Sequence, residues 1–340
     1  MSSIIGEIAK ELGISSASVS RALNDRPGVG DELRERILAK ARELNYIPNV
    51  MARGLATSQT FSVGFFIREK PGLPAQSDPF YSEILHGAEQ VTSRTDYQVT
   101  IATLTDGIVA RPGEFRFVRE KRIDAMILAG PDIPADFIMA MLQTRMPVLL
   151  VDNRLVNTPV NCVNSDNEGG AYQAARHLLS LGHRAIGALA GPPSWSSTAQ
   201  RVNGYRRAMA ESGLELHVVH VDRTTIESGE AAYRRLMSRH PDVTALVAIN
   251  DAMAIGAIRA AKANGLRVPD DLSVVGFDDI AWATVSDPPL TTAHIPKQQM
   301  GKEAVLRLMS LLNDPELLPS EITVPVRLVE RASTSPCKRR

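Results

Sequence analysis

Three polar pairs follow directly on short apolar runs: Asp152-Asn153 after Val148 to Val151, Asn250-Asp251 after Ala245 to Ile249, and Asp278-Asp279 after Ser273 to Phe277. Arg201 opens a helical stretch after the loop Gly191-Pro192-Pro193-Ser194-Trp195, and Asp78-Pro79-Phe80-Tyr81 opens another. Carboxylates and amides exchange hydrogen bonds with adjacent hydroxyls while a ring covers an apolar face, so residues of these types, if they converge, suit a sugar. Taken singly, each reads more readily as a helix cap or an exposed strand-end carboxylate.

A different chemistry is written in the first 25 residues. Ala9, Gly13 and Val19 are offset by four and then six, the spacing of a helix-turn-helix. Ile5, Ile8, Ala9 and Leu12 form one helical stripe, Gly13 supplies the left-handed turn, and Ser15 is placed to cap the next helix. Val19, Ala22 and Leu23 then face inward, leaving Ser16, Ala17, Ser20 and Arg21 outward, where a major groove would meet them. A third amphipathic segment carries Leu33, Ile37, Leu38, Ala41 and Leu44 and ends at Tyr46-Ile47-Pro48.

From Phe61 onward, apolar runs alternate with helical patterns. Phe61 to Ile67, Val99 to Thr103, Ile123 to Ala129, Val148 to Val151, Arg184 to Leu189, Leu216 to Val221, Ala245 to Ile249 and Ser273 to Phe277 read as buried parallel strands. Tyr81 to Thr95, Gly169 to Leu181, Gln200 to Glu211 and Ala252 to Ala263 read as helices between them. The expected class is therefore an all-α head followed by an α/β core with parallel sheets, too many strands for one small sheet. In such a core ligands sit beyond the carboxyl ends of the strands, where the polar pairs fall.

The head, with Ser18-Val19-Ser20-Arg21-Ala22-Leu23-Asn24 and Leu44-Asn45-Tyr46-Ile47-Pro48-Asn49, resembles the LacI/GalR family of bacterial transcription regulators, and the similarity runs along nearly the whole chain. The resemblance implies that Ser16, Ala17 and Arg21 read bases and that Ser15, Ser18 and Ser20 sit near phosphates, with Asn24, Asn49 and Ala52 in the same DNA-binding set. The segment after Pro48 would be a hinge helix that pairs with its dimer mate in the minor groove, where Leu55 wedges a central base step. The resemblance also implies two periplasmic-binding-protein-like subdomains with an effector touched by Phe80, Asp152, Ser197, Arg201, Asn250 and Asp278, and Trp282 as a further aromatic. Expected boundaries are 1–48 for the head, 49–58 for the hinge and 59–340 for the core. Within the core, the first subdomain takes 59–161 and 292–324 and the second takes 162–291 and 325–340. Two positions depart from the family pattern: Ile4 replaces a capping threonine, leaving Ser2 or Ser3 to substitute, and Gly30 replaces the cap of the third helix.

Composition narrows the classes. The first 60 residues carry eight basic and seven acidic side chains, and the 340-residue chain balances 38 against 38, so affinity for DNA must rest on fitted contacts and dimerisation. Cys162 and Cys337 are too few for a disulfide framework or a zinc site, and no apolar stretch reads as a signal peptide or a membrane span, so a soluble cytoplasmic, nucleoid-associated protein is expected. No phosphate loop, dinucleotide fingerprint, H-E-x-x-H or nucleophile elbow occurs, and no catalytic residue, cofactor or metal is expected. The expectation is a homodimeric repressor of carbohydrate-use genes on a palindromic operator, switched by a sugar-like effector. The alternatives are a sugar-binding transport protein, which would lack the head, and a regulator answering to a purine or other metabolite.

Overall fold

The computed structural model describes residues 4–23, 27–46, 54, 57, 59–69 and 77–338. The chain divides between Phe61 and Ser62 into two units.

In the first unit, helices α1 (Ile4–Leu12), α2 (Ser16–Leu23) and α3 (Asp31–Glu43) enclose a small core of Ile8, Ala9, Val19, Ala22, Ile37 and Ala41. Gly13 adopts φ +66°, and the Ser15 hydroxyl accepts from the Ser18 amide at 3.0 Å, capping α2. Gly30 precedes α3 without a side-chain cap. Asp31 and Glu32 in its first turn put negative charge against the exposed amides instead.

The second unit contains, in chain order, β1 (Ser62–Arg68), α4 (Pro79–Thr92), β2 (Gln98–Leu104), α5 (Asp106–Ala110), α6 (Arg116–Arg119), β3 (Ala125–Ala129), α7 (Ala135–Leu142), β4 (Val148–Val151) and β5 (Cys162–Ser165). There follow α8 (Asn167–Ser180), β6 (Ile186–Ala190), α9 (Ser196–Ala210), β7 (His217–His220), α10 (Ile226–Arg239), β8 (Ala245–Ala248), α11 (Asp251–Ala263) and β9 (Ser273–Asp278). The unit closes with α12 (Ala281–Val285), β10 (Thr291–His294), α13 (Lys297–Asn313), β11 (Glu321–Val324) and β12 (Arg327–Val329). Two six-stranded sheets result, ordered β11-β5-β4-β3-β1-β2 and β12-β10-β9-β8-β6-β7. Every pairing is parallel except that of β12 with β10.

The chain passes between the sheets three times: after Ser165, between His294 and α13, and between Val324 and Arg327. Two expected crossing points move. Cys162–Ser165, expected to open the second subdomain, is instead an interior strand of the first sheet, with Cys162 in register with both Leu150 and Glu321. Thr292–His294, expected in the first subdomain, pairs with β9 and β12 of the second sheet. Backbone pairing on both sides decides membership here, and neither Cys-Val-Asn-Ser nor Thr-Thr-Ala-His has the apolar run that marks the other strands.

Helices α4 and α13 cross at two glycines. A Cβ on Gly87 would lie 2.0 Å from the Gln298 carbonyl oxygen, and one on Gly301 would lie 1.9 Å from that of Ile84. Only glycine permits so close an approach, and it fixes a helix from before β6 against one from after β10.

Candidate functional site

On the head, Ser15, Ser16, Ala17 and Arg21 are exposed along α2, and Ser18 and Ser20 are half-buried. This is the outward face of the second helix of the motif, the helix that in helix-turn-helix proteins generally reads the major groove. Asn24, Asn49, Ala52 and Leu55 lie outside the described residues.

In the core, the strand ends of the two sheets bring polar side chains together. Arg201, on α9 after β6, is only 5% exposed. Its Nε donates to Asn167 Oδ1 at 2.7 Å, and its Nη1 donates to the Ile249 carbonyl at 2.5 Å and to Asp278 Oδ1 at 3.2 Å. The guanidinium carbon lies 3.9 Å from the ring centre of Phe277, so an aromatic face covers the cation as its edges bind acceptors. From the first sheet, the Tyr81 hydroxyl donates to Asp152 Oδ2 at 3.2 Å, and Phe80 packs edge-on against Tyr81 at 5.1 Å between centroids. Ser197 is buried one turn before Arg201.

Asp78, which opens α4, and the expected site residue Asn250 both serve as caps. Asp78 accepts from the Phe80 and Tyr81 amides at the start of α4. Asn250 accepts from Met253 N at 2.9 Å and donates to the Thr224 carbonyl at 3.0 Å. Trp282 stands apart from this buried set, 38% exposed on the short helix α12.

Backbone strain collects at the same strand ends. Asp152 has φ +53°, Asp278 +107° and Asp279 +53°, conformations that cost non-glycine residues about 1–3 kcal/mol each and cluster at binding sites. The electrostatics are equally concentrated. Burial pushes the Asp278 carboxyl up to about 7; Arg201 and Lys297 pull against this, while Asp152 and Asp78 add to it. Carboxylates that follow β4 and precede α4 therefore act electrostatically on one that ends β9. Burial, reinforced by Asp152, Asp132 and Asp78, holds the Tyr81 hydroxyl well above its ordinary range, so it remains a proton donor. Burial and Asp278 likewise raise Asp251, which accepts from Thr292 Oγ1 at 2.5 Å and from Ile280 N at 2.8 Å. For Asp279, burial acts upward, but Arg331 and His294 outweigh it and hold the carboxyl low.

The arrangement offers a carboxylate, a guanidinium and a tyrosine hydroxyl beside aromatic rings, which is hydroxyl-recognising chemistry at the carboxyl ends of parallel strands. Tyr81, Asn167 and Lys297 are members that sequence reasoning did not single out as site residues. For Tyr81 the signal was available, since it adjoins Phe80 in the same helix-opening motif. His217 and His220 take no part: His217 stacks on His240 at 3.7 Å, and His220 Nδ1 bonds the Gly191 carbonyl at 2.8 Å.

Residues 64–332 match the family described as periplasmic binding proteins and sugar binding domain of LacI family, and residues 4–49 match bacterial regulatory proteins, lacI family. The chain belongs to the LacI family. It is 31% identical to the HTH-type transcriptional regulator DegA of Bacillus subtilis, over 99% of each chain. Its fold superposes on the transcriptional regulator CelR–cellobiose complex with a TM-score of 0.74 at 30% identity, covering 97% of this chain and 99% of that one. For the lac repressor dimer bound to operator and the anti-inducer ONPF the TM-score is 0.76 at 29% identity, covering 96% and 98%. This LacI-family chain is accordingly a ligand-responsive, DNA-binding transcriptional regulator. Among its described residues no helix is long and apolar enough to cross a membrane.

Proposed function

We propose that the chain is a cytoplasmic, nucleoid-associated repressor of carbohydrate-use genes, binding a palindromic operator as a homodimer, with an affinity changed by a small sugar-like effector between the two sheets. The observation that carries the effector class is that each sheet ends in a buried donor–carboxylate pair, Arg201–Asp278 in one and Tyr81–Asp152 in the other, of the type that binds adjacent hydroxyls. The cellobiose bound to CelR and the operator bound by the lac repressor dimer, both in chains of similar fold, support the same reading. Effector contacts are assigned to Phe80, Asp152, Ser197, Arg201, Asn250 and Asp278, with the exposed Trp282 as a further aromatic surface. DNA contacts are assigned to Ser15, Ser16, Ala17, Ser18, Ser20, Arg21, Asn24, Asn49, Ala52 and Leu55. An arginine on guanine contributes about 1–3 kcal/mol of base discrimination, which makes Arg21 the chief reader on α2.

In this proposal the effector shifts the relative closure of the two subdomains only by its differential affinity for their arrangements, and the hinge segments transmit the shift to the operator. The test is selection of DNA from a random library with the purified protein at physiological salt, followed by binding measurements with a panel of free sugars and nucleobases. A two-fold symmetric site whose occupancy responds to a sugar supports the proposal. An asymmetric site, or a response to a nucleobase alone, overturns it.

A further inference from the structure

Lys297 is 1% exposed, an extreme degree of burial for an ammonium group. It is the first residue of α13, which packs on α4 and so belongs with the first sheet. Its Nζ reaches groups on both sides of the junction. It donates to the carbonyls of Asp278 at 2.7 Å, Asp279 at 2.9 Å and Ile295 at 3.4 Å, and lies 3.4 Å from Glu83 Oε1 on α4. Three N–H groups thus face four acceptors, which leaves the ammonium saturated by protein groups and unavailable to a ligand.

Two of those acceptors belong to the consecutive left-handed residues Asp278 and Asp279, the turn that presents the Asp278 carboxylate to Arg201. A hydrophobic side chain would fill the same volume without the cost of taking a charge out of water, so packing gives no account of the lysine. Holding a strained turn across the junction of two subdomains does. Glu83 and the α13 backbone tie the ammonium to the first subdomain, while the Asp278 and Asp279 carbonyls tie it to the second.

We propose that Lys297 is the positioning residue of the cleft: its ammonium clamps the Asp278–Asp279 turn of the second subdomain to helix α4 of the first, and thereby sets the separation of the Asp278 and Asp152 carboxylates. The link to ligand affinity rests on the reading of this cleft as the effector site. The clamp itself does not.

The full-length protein and its Lys297→Met, Lys297→Arg and Glu83→Gln variants test this by amide hydrogen exchange. In Lys297→Met the amides of residues 279–283 should exchange about tenfold or more faster, with β8 and β3 unchanged, because the loss is local opening and not global unfolding. Lys297→Arg keeps the charge and the donors and should restore most of the protection; Glu83→Gln should loosen the same segment to a smaller degree. Unchanged exchange at 279–283 in Lys297→Met, or equal acceleration throughout both sheets in Lys297→Met and Glu83→Gln, overturns the proposal. Calorimetry with cellobiose and with ribose adds the functional arm: a sugar that binds the parent protein should bind Lys297→Met at least tenfold more weakly, and equal affinity refutes the positioning role. If neither sugar binds the parent protein, hydrogen exchange alone decides the clamp, and the sugar reading of the cleft is decided by the wider panel.

Discussion

Replacing Arg201 by Met keeps most of the hydrocarbon stem over Phe277 and removes the guanidinium. Three acceptors then lose a donor: Asn167 Oδ1, the Ile249 carbonyl and Asp278 Oδ1. Asn167 Oδ1 retains the Ser165 hydroxyl at 3.1 Å, so the loss falls mainly on the Ile249 carbonyl and the Asp278 carboxylate. An unsatisfied buried acceptor costs about 1–3 kcal/mol, and breaking a buried ion pair about 3–5 kcal/mol. Asp278 limits the damage because it can take up a proton. Its carboxyl already sits at about 7 with Arg201 present, chiefly through burial, and loses a stabilising charge when Arg201 goes.

A carboxyl raised in the folded state contributes stability that is complete below its unfolded value near 3.8 and is lost as the pH rises through about 7. At pH 5 the parent protein therefore holds Asp278 neutral and has little ion-pair attraction to lose. At pH 8 the pair is charged and the substitution removes it. The expected destabilisation is about 2 kcal/mol at pH 5 and about 3 kcal/mol at pH 8, because one carboxyl titrating near 7 can add at most about 1.4 kcal/mol over that range. Urea denaturation followed by circular dichroism at the two pH values measures both. A cost below 1 kcal/mol at pH 8, or an equal cost at both pH values, refutes the reasoning.

Gly301→Ala places a methyl 1.9 Å from the Ile84 carbonyl oxygen, so α13 must move off α4; overpacking of this kind costs about 1–3 kcal/mol of unfolding free energy, read by denaturant titration, and no change would show that the helices slide freely. Gly13→Ala forces a side chain into φ +66° and should lower the melting temperature of the head by the equivalent of about 1 kcal/mol without altering sugar affinity. A coupled loss of sugar affinity would show that the head and the cleft are not independent.

The helix-turn-helix was legible because a few small and apolar residues at fixed offsets are forced by the crossing of two short helices. The parallel strands were legible because burial on both faces makes each a continuous apolar run. Strands β5 and β10 lacked that signature: Asn164 donates to the Asn153 carbonyl and Thr292 to Asp251, so polar side chains are satisfied inside the sheet layer and interrupt the run. The same limit hid Lys297. A lysine opening an amphipathic helix reads as solvated, and only the return of the chain past Asp278 supplies the carbonyls that bury it. Asp152, Asn250 and Asp278 stood out as polar residues after apolar runs, and Arg201 and Asp78 as residues opening helical stretches, but only the structure shows that Asp78 and Asn250 are occupied as caps.

The threefold passage between the sheets has a consequence for how the molecule is made. The first sheet lacks its edge strand β11, and α4 lacks its partner α13, until the whole second sheet apart from β12 has left the ribosome. At common elongation rates of about 5–20 residues per second, the roughly 150 residues separating β5 from the end of α13 take about 7–30 s. Throughout that interval β5 presents an unpaired backbone edge and α4 an uncovered glycine face, the two features most prone to mistaken association. A chain terminated early, even one retaining every strand through β10, would be left with an incomplete first subdomain at its amino-terminal end and not merely a shortened second one.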